Sequence, residues 1–160
     1  MRKTLETICL IALAAQIWIT WQALVGPEKL PDRIPFHFDA AGNPNGWGSP
    51  ASLILVPAMA AGFYLLLTVI VLFPSTFNYP VEVTEENRPR LQALAQDMFA
   101  WLKAEIVCFF AWLGWGLIQA ARHPGQVFAP TGVLVFLLVV FSTLGWYIVA
   151  MRRGSQAPMA

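Results

Sequence analysis

The stretch Ala51–Phe73, ASLILVPAMAAGFYLLLTVIVLF, runs for 23 residues without a charge. A hydrocarbon core of roughly 30 Å takes about 20 mostly apolar residues in helical form. Lipid offers no partner to an open backbone, and so few segments cannot close a barrel, so the span is a helix. Pro57 lies inside it and predicts a kink. Working toward the N-terminus, Thr7–Pro27 is a second uncharged run, of 21 residues. It exceeds the apolar region of a cleaved leader, about 7–15 residues. It also carries Trp18 and Trp21 where small residues would precede a cleavage site, so it reads as a retained first span, about 5–25.

Beyond Phe73 the apolar pattern returns twice. A fourth span covers about 131–151. The third, about 98–121, is strictly uncharged only over Ile106–Ala121, because Lys103 and Glu105 sit near its start. Leu91, Leu94, Ala95, Met98, Phe99 and Leu102 recur upstream at helical spacing. One long helix from about Arg88 is expected, with Asn87 as its cap and Pro89 in its first turn. Lys103 would snorkel to the headgroups, and Glu105, two positions on, would face elsewhere.

Composition agrees. Hydrophobic residues make up 58% and charged residues 12% of 160, with a mean hydropathy of +0.60. Soluble domains have about 45–50% and about 25%. The net charge of +1 implies no nucleic-acid partner. Cys9 and Cys108 both fall in apolar runs and read as buried thiols. No cofactor motif and no Cys/His metal spacing is present, so neither cofactor nor metal is expected. Gly62, Gly114, Gly116 and Gly145 would permit close helix approach.

Orientation follows from Lys and Arg alone. With both termini inside, Arg2, Lys3, Arg88, Arg90, Lys103, Arg152 and Arg153 are cytoplasmic, and Lys29, Arg33 and Arg122 are outside. That places residues 26–50 on the extracytoplasmic face. The expected architecture is an all-α integral membrane domain over residues 1–153. Four transmembrane helices would carry a small cap between helices 1 and 2, and a third helix extended on the cytoplasmic side. A disordered tail would follow at 154–160. The location would be the inner or plasma membrane, with the bilayer as one partner and a homodimer as another.

The 26–50 segment is the dense polar interruption, and within it LPDRIPFHFDAAGNPNGWGSP covers Leu30–Pro50. Its X-Pro steps favour extended backbone. Alternation puts Ile34, Phe36 and Phe38 on one face of a short strand and Pro35, His37 and Asp39 on the other. Ala40–Gly48 reads as turn, and Trp47 suits an interface. His37 and Asp39 share a face, but no further ligand completes a metal spacing. The favoured reading is His37 bonded within the loop and Asp39 capping the turn. Candidate binding residues are Pro35, His37, Phe38, Asp39, Gly42 and Trp47. Intramembrane polar candidates are Gln16, Gln22, Glu105 and Gln119, with Gln16, Thr20 and Ala23 on one face of the first span. No catalytic residue is assigned.

The combination Leu30-Pro31, Ile34-Pro35, His37-Phe38, Gly42 and Trp47 resembles the membrane domain of unknown function 1648. That domain also stands at the front of SdpI-like immunity proteins. The resemblance implies a bacterial integral membrane protein without an established catalytic residue. SdpI-like proteins continue into a second membrane region, and the expected architecture here is four spans without it. The leading functional expectation is a binding, sensing or immunity-type module that engages a peptide or protein at the extracytoplasmic motif. A small transporter, or an accessory subunit of one, comes second, and a membrane enzyme or metal-binding protein using His37 and Asp39 third.

Overall fold

The computed structural model describes residues 1–123, 125 and 128–153, so the expected tail at 154–160 lies outside the described residues. The chain forms helix α1 (Arg2–Val25), strands β1 (Ile34–Phe38) and β2 (Pro44–Gly48), and a 3-10 helix (Pro50–Ile54). That helix runs into α2 (Leu55–Val71), and a short 3-10 turn (Pro74–Thr76), α3 (Arg88–Arg122) and α4 (Thr131–Arg153) follow. Among the described residues four helical segments, Arg2–Val25, Pro50–Val71, Arg88–Arg122 and Thr131–Arg153, are long and apolar enough to cross a membrane. This is a multi-pass membrane protein. At 35 residues α3 is about 52 Å long, well beyond a hydrocarbon core of about 30 Å.

Helix α3 is the central element. Its most apolar window is 44% buried, whereas that of α4 is only 6% buried. Helices α1 and α2 pack on α3 and on each other, and α4 leans on α3. The outward faces carry large apolar side chains such as Ile11, Trp18, Leu65, Leu138 and Phe141, which suit lipid. Cys9 is buried within the bundle, but Cys108 is exposed on its surface rather than packed inside. Of the four helix-packing glycines expected, Gly114 does admit a close approach: a Cβ there would stand 3.4 Å from Gln16 Nε2 and from Val56. Gly62 and Gly145 have no atom within 4 Å of such a Cβ and face outward.

Local chemistry explains the boundaries. Ser49 accepts from the Ala51 amide at 3.3 Å and Pro50 opens the 3-10 helix, a favoured N-terminal pairing. Pro57 falls in the first turn of α2, where a missing N–H costs least, so the irregularity expected mid-span sits at its start. Asn87 is the N-cap residue of α3, yet its side chain does not cap. Its Oδ1 accepts from Thr84 N at 2.9 Å and its Nδ2 donates to Glu82 O at 2.9 Å, so it ties down the preceding loop instead. Arg90 donates to Ala150 O at 2.9 Å, satisfying a carbonyl in the last turn of α4.

The domain is mostly helical rather than all-α, because residues 30–50 build an antiparallel hairpin. Its register pairs Ile34 with Gly48, Pro35 with Trp47, His37 with Gly46 and Phe38 with Pro44. The turn is confined to 39–43, and 44–48, expected as turn, is the second strand. One extra residue bulges on each strand: Phe36 on β1 and Asn45 on β2. A bulge shifts the alternation by one residue. Hence Ile34 and Pro35 are both buried while Phe36 is exposed, which corrects the expected Ile34/Phe36/Phe38 face.

Candidate functional site

The hairpin is fixed at its base and bare at its rim. Ile34 is fully buried in a cluster with Ala23, Leu30, Leu53, Val56, Leu117, Ile118 and Ala121 from the adjoining ends of α1, the 3-10 helix, α2 and α3. Pro35 is buried beside it. The Phe38 ring lies 5.0 Å from that of Phe128, between α3 and α4, and Phe128 N donates to Gly42 O at 3.0 Å. Gly42 makes the turn at φ 84°, a left-handed conformation that only glycine adopts freely. A Cβ at Gly116 would strike the Phe128 ring, so this glycine lets the ring lie on α3.

His37 and Asp39 are both exposed and both engaged. The His37 Nδ1 is hydrogen-bonded to the Asn45 side-chain amide. Gly46 makes room for this, since a Cβ there would come within 2.8 Å of His37 Cβ. Asp39 Oδ1 accepts from the amides of Ala41 and Asn43, each at 2.9 Å, and Oδ2 from Asn43 Nδ2 at 3.4 Å. These are the bonds of an Asx turn. Among the described residues no three His, Cys, Asp or Glu side chains converge as a metal site would require. The remaining rim residues, Phe36 and Trp47, are 42% and 53% exposed.

The Asn43 amide, above all, holds the Asp39 carboxyl below its ordinary value of 3.8, with further help from the Asn43 side chain and the Ala41 and Gly42 amides. A carboxyl whose pKa falls on folding stabilises above its unfolded pKa and loses that contribution as pH falls through the folded value. The turn is therefore expected to loosen only in acid. Amide shifts of Ala41 and Asn43 should titrate with a midpoint below 3.8. A midpoint at or above it would remove the carboxylate from the turn.

The intramembrane candidates do not line one path. Gln16 is buried between α1 and α3, its Nε2 donating to Phe110 O at 3.0 Å and its Oε1 unpartnered. Thr20 and Ala23 share that buried face. Gln22 is half-buried near the end of α1. Glu105 looks the other way, toward α4, where the Thr143 hydroxyl donates to its Oε1 at 2.5 Å. Gln119 is on the same side of α3 as Glu105, but 14 residues or about 21 Å away. It lines a cavity of about 180 Å³ with Trp112, Trp115 and Phe128.

One polar cluster had no reading in advance as a site. Lys103 does not snorkel: it is 5% exposed and its Nζ pairs with Glu6 Oε1. The same nitrogen donates to Thr68 Oγ1 at 3.1 Å and lies 4.7 Å from the centre of the Tyr64 ring, while Tyr64 OH donates to Glu6 Oε2 at 3.0 Å. Residues of α1, α2 and α3 thus close around one ammonium. Lys103 stands 19 residues before Arg122, about 28 Å from the hairpin end, near the opposite margin of a bilayer core. The signal in the sequence is Glu6, an acid one position inside the first span at about 5–25.

No curated protein and no solved structure matches the chain. Residues 7–61, from the first turns of α1 through the whole hairpin into α2, match a family model described as Domain of unknown function (DUF1648).

Proposed function

We propose that this protein is a binding or sensing module of the cell membrane, of immunity type, that engages a peptide or protein at its hairpin. Both termini are cytoplasmic in this reading and the hairpin is extracytoplasmic. The support for orientation is the Lys/Arg asymmetry, Arg2, Lys3, Arg88, Arg90, Lys103, Arg152 and Arg153 against Lys29, Arg33 and Arg122. The resemblance of the 30–50 motif to the front of SdpI-like proteins supports the immunity type.

One observation carries the binding reading: a rigid hairpin that leaves aromatic side chains bare. Pre-organised backbone lowers the ordering cost of association. Exposed aromatic residues are what binding hot spots are made of. Phe36 and Trp47 supply them, and His37, next to Phe36 on β1, adds a polar contact whose ring is held by Asn45.

The test is a photoreactive benzophenone side chain in place of Trp47, activated in intact cells. A discrete polypeptide adduct is expected, and His37→Ala should lower its yield about fivefold or more. Adducts to lipid alone would withdraw the binding function and leave the hairpin as a membrane-surface element.

A further inference from the structure

The seam between α3 and α4 holds a carboxyl group that neither the packing nor the hairpin explains. Trp101, Glu105, Phe109 and Trp112 of α3 face α4 along one stripe. Two cavities open there, and Glu105 lines both. One, of about 290 Å³, runs toward the hairpin end between Phe109, Trp112, Gly132, Val135, Phe136 and Val139. The other, of about 540 Å³, runs the opposite way between Trp101, Ser142, Thr143, Trp146 and Tyr147. The second falls in the size range of small-molecule sites, about 300–1,000 Å³, and the first lies at its lower edge. The upper walls are aromatic and ordered: Phe109 and Phe136 stack at 4.1 Å, and Phe109 and Trp112 lie 5.7 Å apart.

Glu105 is half-satisfied. Its Oε1 takes the Thr143 hydroxyl, and its Oε2 is buried without a hydrogen-bond partner. Lys103, the nearest ammonium in sequence, is committed to Glu6 on the other side of α3. An ionisable side chain within a membrane-spanning segment, with one oxygen buried and unpaired, points to a role beyond packing. Glu105 itself lines both cavities, so its carboxyl group stands at their junction.

We propose that this groove binds a lipophilic amine arriving from the bilayer. Its ammonium would donate to Glu105, and its apolar body would lie along Phe109, Trp112 and Phe136. The chemistry is specific on three counts. An ammonium supplies the missing donor as a charge-assisted bond. Aromatic faces attract the same cation and cover its apolar body. The cavities, about 290 and 540 Å³, suit a compact amphiphile rather than the bulk of a two-chained phospholipid. The site is separate from the hairpin and stands or falls independently of it.

The experiment uses the full chain in phosphatidylcholine nanodiscs. The probe is monodansylcadaverine, an aromatic body carrying a primary ammonium, and the control is N-hexyl dansylamide, which lacks the ammonium. Trp101, Trp112 and Trp146 line the groove, so bound probe is read as tryptophan-sensitised dansyl emission. Saturable emission is expected with the amine and only a linear partition signal with the control. Glu105→Gln should raise the half-saturating amine concentration about tenfold or more. Val139→Phe, at a side chain that lines both cavities, narrows them, keeps the carboxyl and adds no tryptophan donor, and it should abolish saturation. Equal behaviour of the two probes with the unaltered chain, a comparison that needs no variant, would overturn the proposal. So would an unchanged Glu105→Gln. Loss of the amine signal when phosphatidylethanolamine replaces part of the phosphatidylcholine would hand the site to a lipid headgroup and overturn the free-amine assignment.

Discussion

Glu6→Ala loosens the end of the bundle opposite the hairpin, and Glu6→Ala combined with Lys103→Met restores most of what is lost. The single change leaves the Lys103 ammonium buried with only the Thr68 hydroxyl and the Tyr64 ring for company. Removing one partner of a buried pair costs about 3–5 kcal/mol. The Glu6 side chain is 38% exposed, so solvent already screens part of the interaction and about 2–3 kcal/mol is the expected loss. Lys103→Met alone is milder. It removes the charge that burial penalises, fills the space with apolar atoms, and leaves Glu6 partly exposed with its bond from Tyr64. Thermal unfolding of the single and double variants in one detergent gives the coupling between the two side chains. Additive losses would show that the ammonium is not held by Glu6.

Ile34→Ala should free the hairpin while leaving the four helices in place. Ile34 is the fully buried side chain that pins β1 among Ala23, Leu53, Leu117 and Ile118. Truncation of such a residue costs about 2–5 kcal/mol, through lost transfer energy and the cavity left behind. A two-stranded hairpin has little stability of its own, so the whole cost falls on its docking. Amide exchange through β1 and β2 is expected to accelerate by roughly two orders of magnitude or more. The interiors of α1 and α3 should be unchanged. Uniform acceleration across the helices would mean that hairpin and bundle open together.

The four helices were legible because length and apolarity decide them locally. Spans at 5–25, 51–73, 98–121 and 131–151 lie within or close to Arg2–Val25, Pro50–Val71, Arg88–Arg122 and Thr131–Arg153. The extension of α3 was legible too, from apolar spacing upstream of its uncharged core. What was not legible depends on partners far along the chain. Lys103 looks like a snorkelling residue beside its neighbours, and only Glu6, 97 positions away, makes burial tolerable. The alternation of Ile34, Phe36 and Phe38 reads as one face until bulges at Phe36 and Asn45 break it, and no local signal announces them. The tie from Phe128 to Gly42 and Phe38 joins loops 86 positions apart. That α4 leans on α3, and at Met151 on the Phe77–Val81 connection, while much of its surface stays exposed could not be read from an apolar run, because lipid-facing and protein-facing spans have the same composition.

Thiol labelling tests the central claim most directly, that a fixed hairpin is displayed on the outer face of a four-span bundle. With Cys9 and Cys108 replaced by alanine, a single cysteine is placed at Asn43→Cys in the hairpin turn or at Glu85→Cys before α3, both exposed positions. A membrane-impermeant maleimide should label the first in intact cells and the second only after permeabilisation. Labelling of Glu85→Cys but not Asn43→Cys in intact cells would invert the protein and end the account of the hairpin as an extracytoplasmic binding surface.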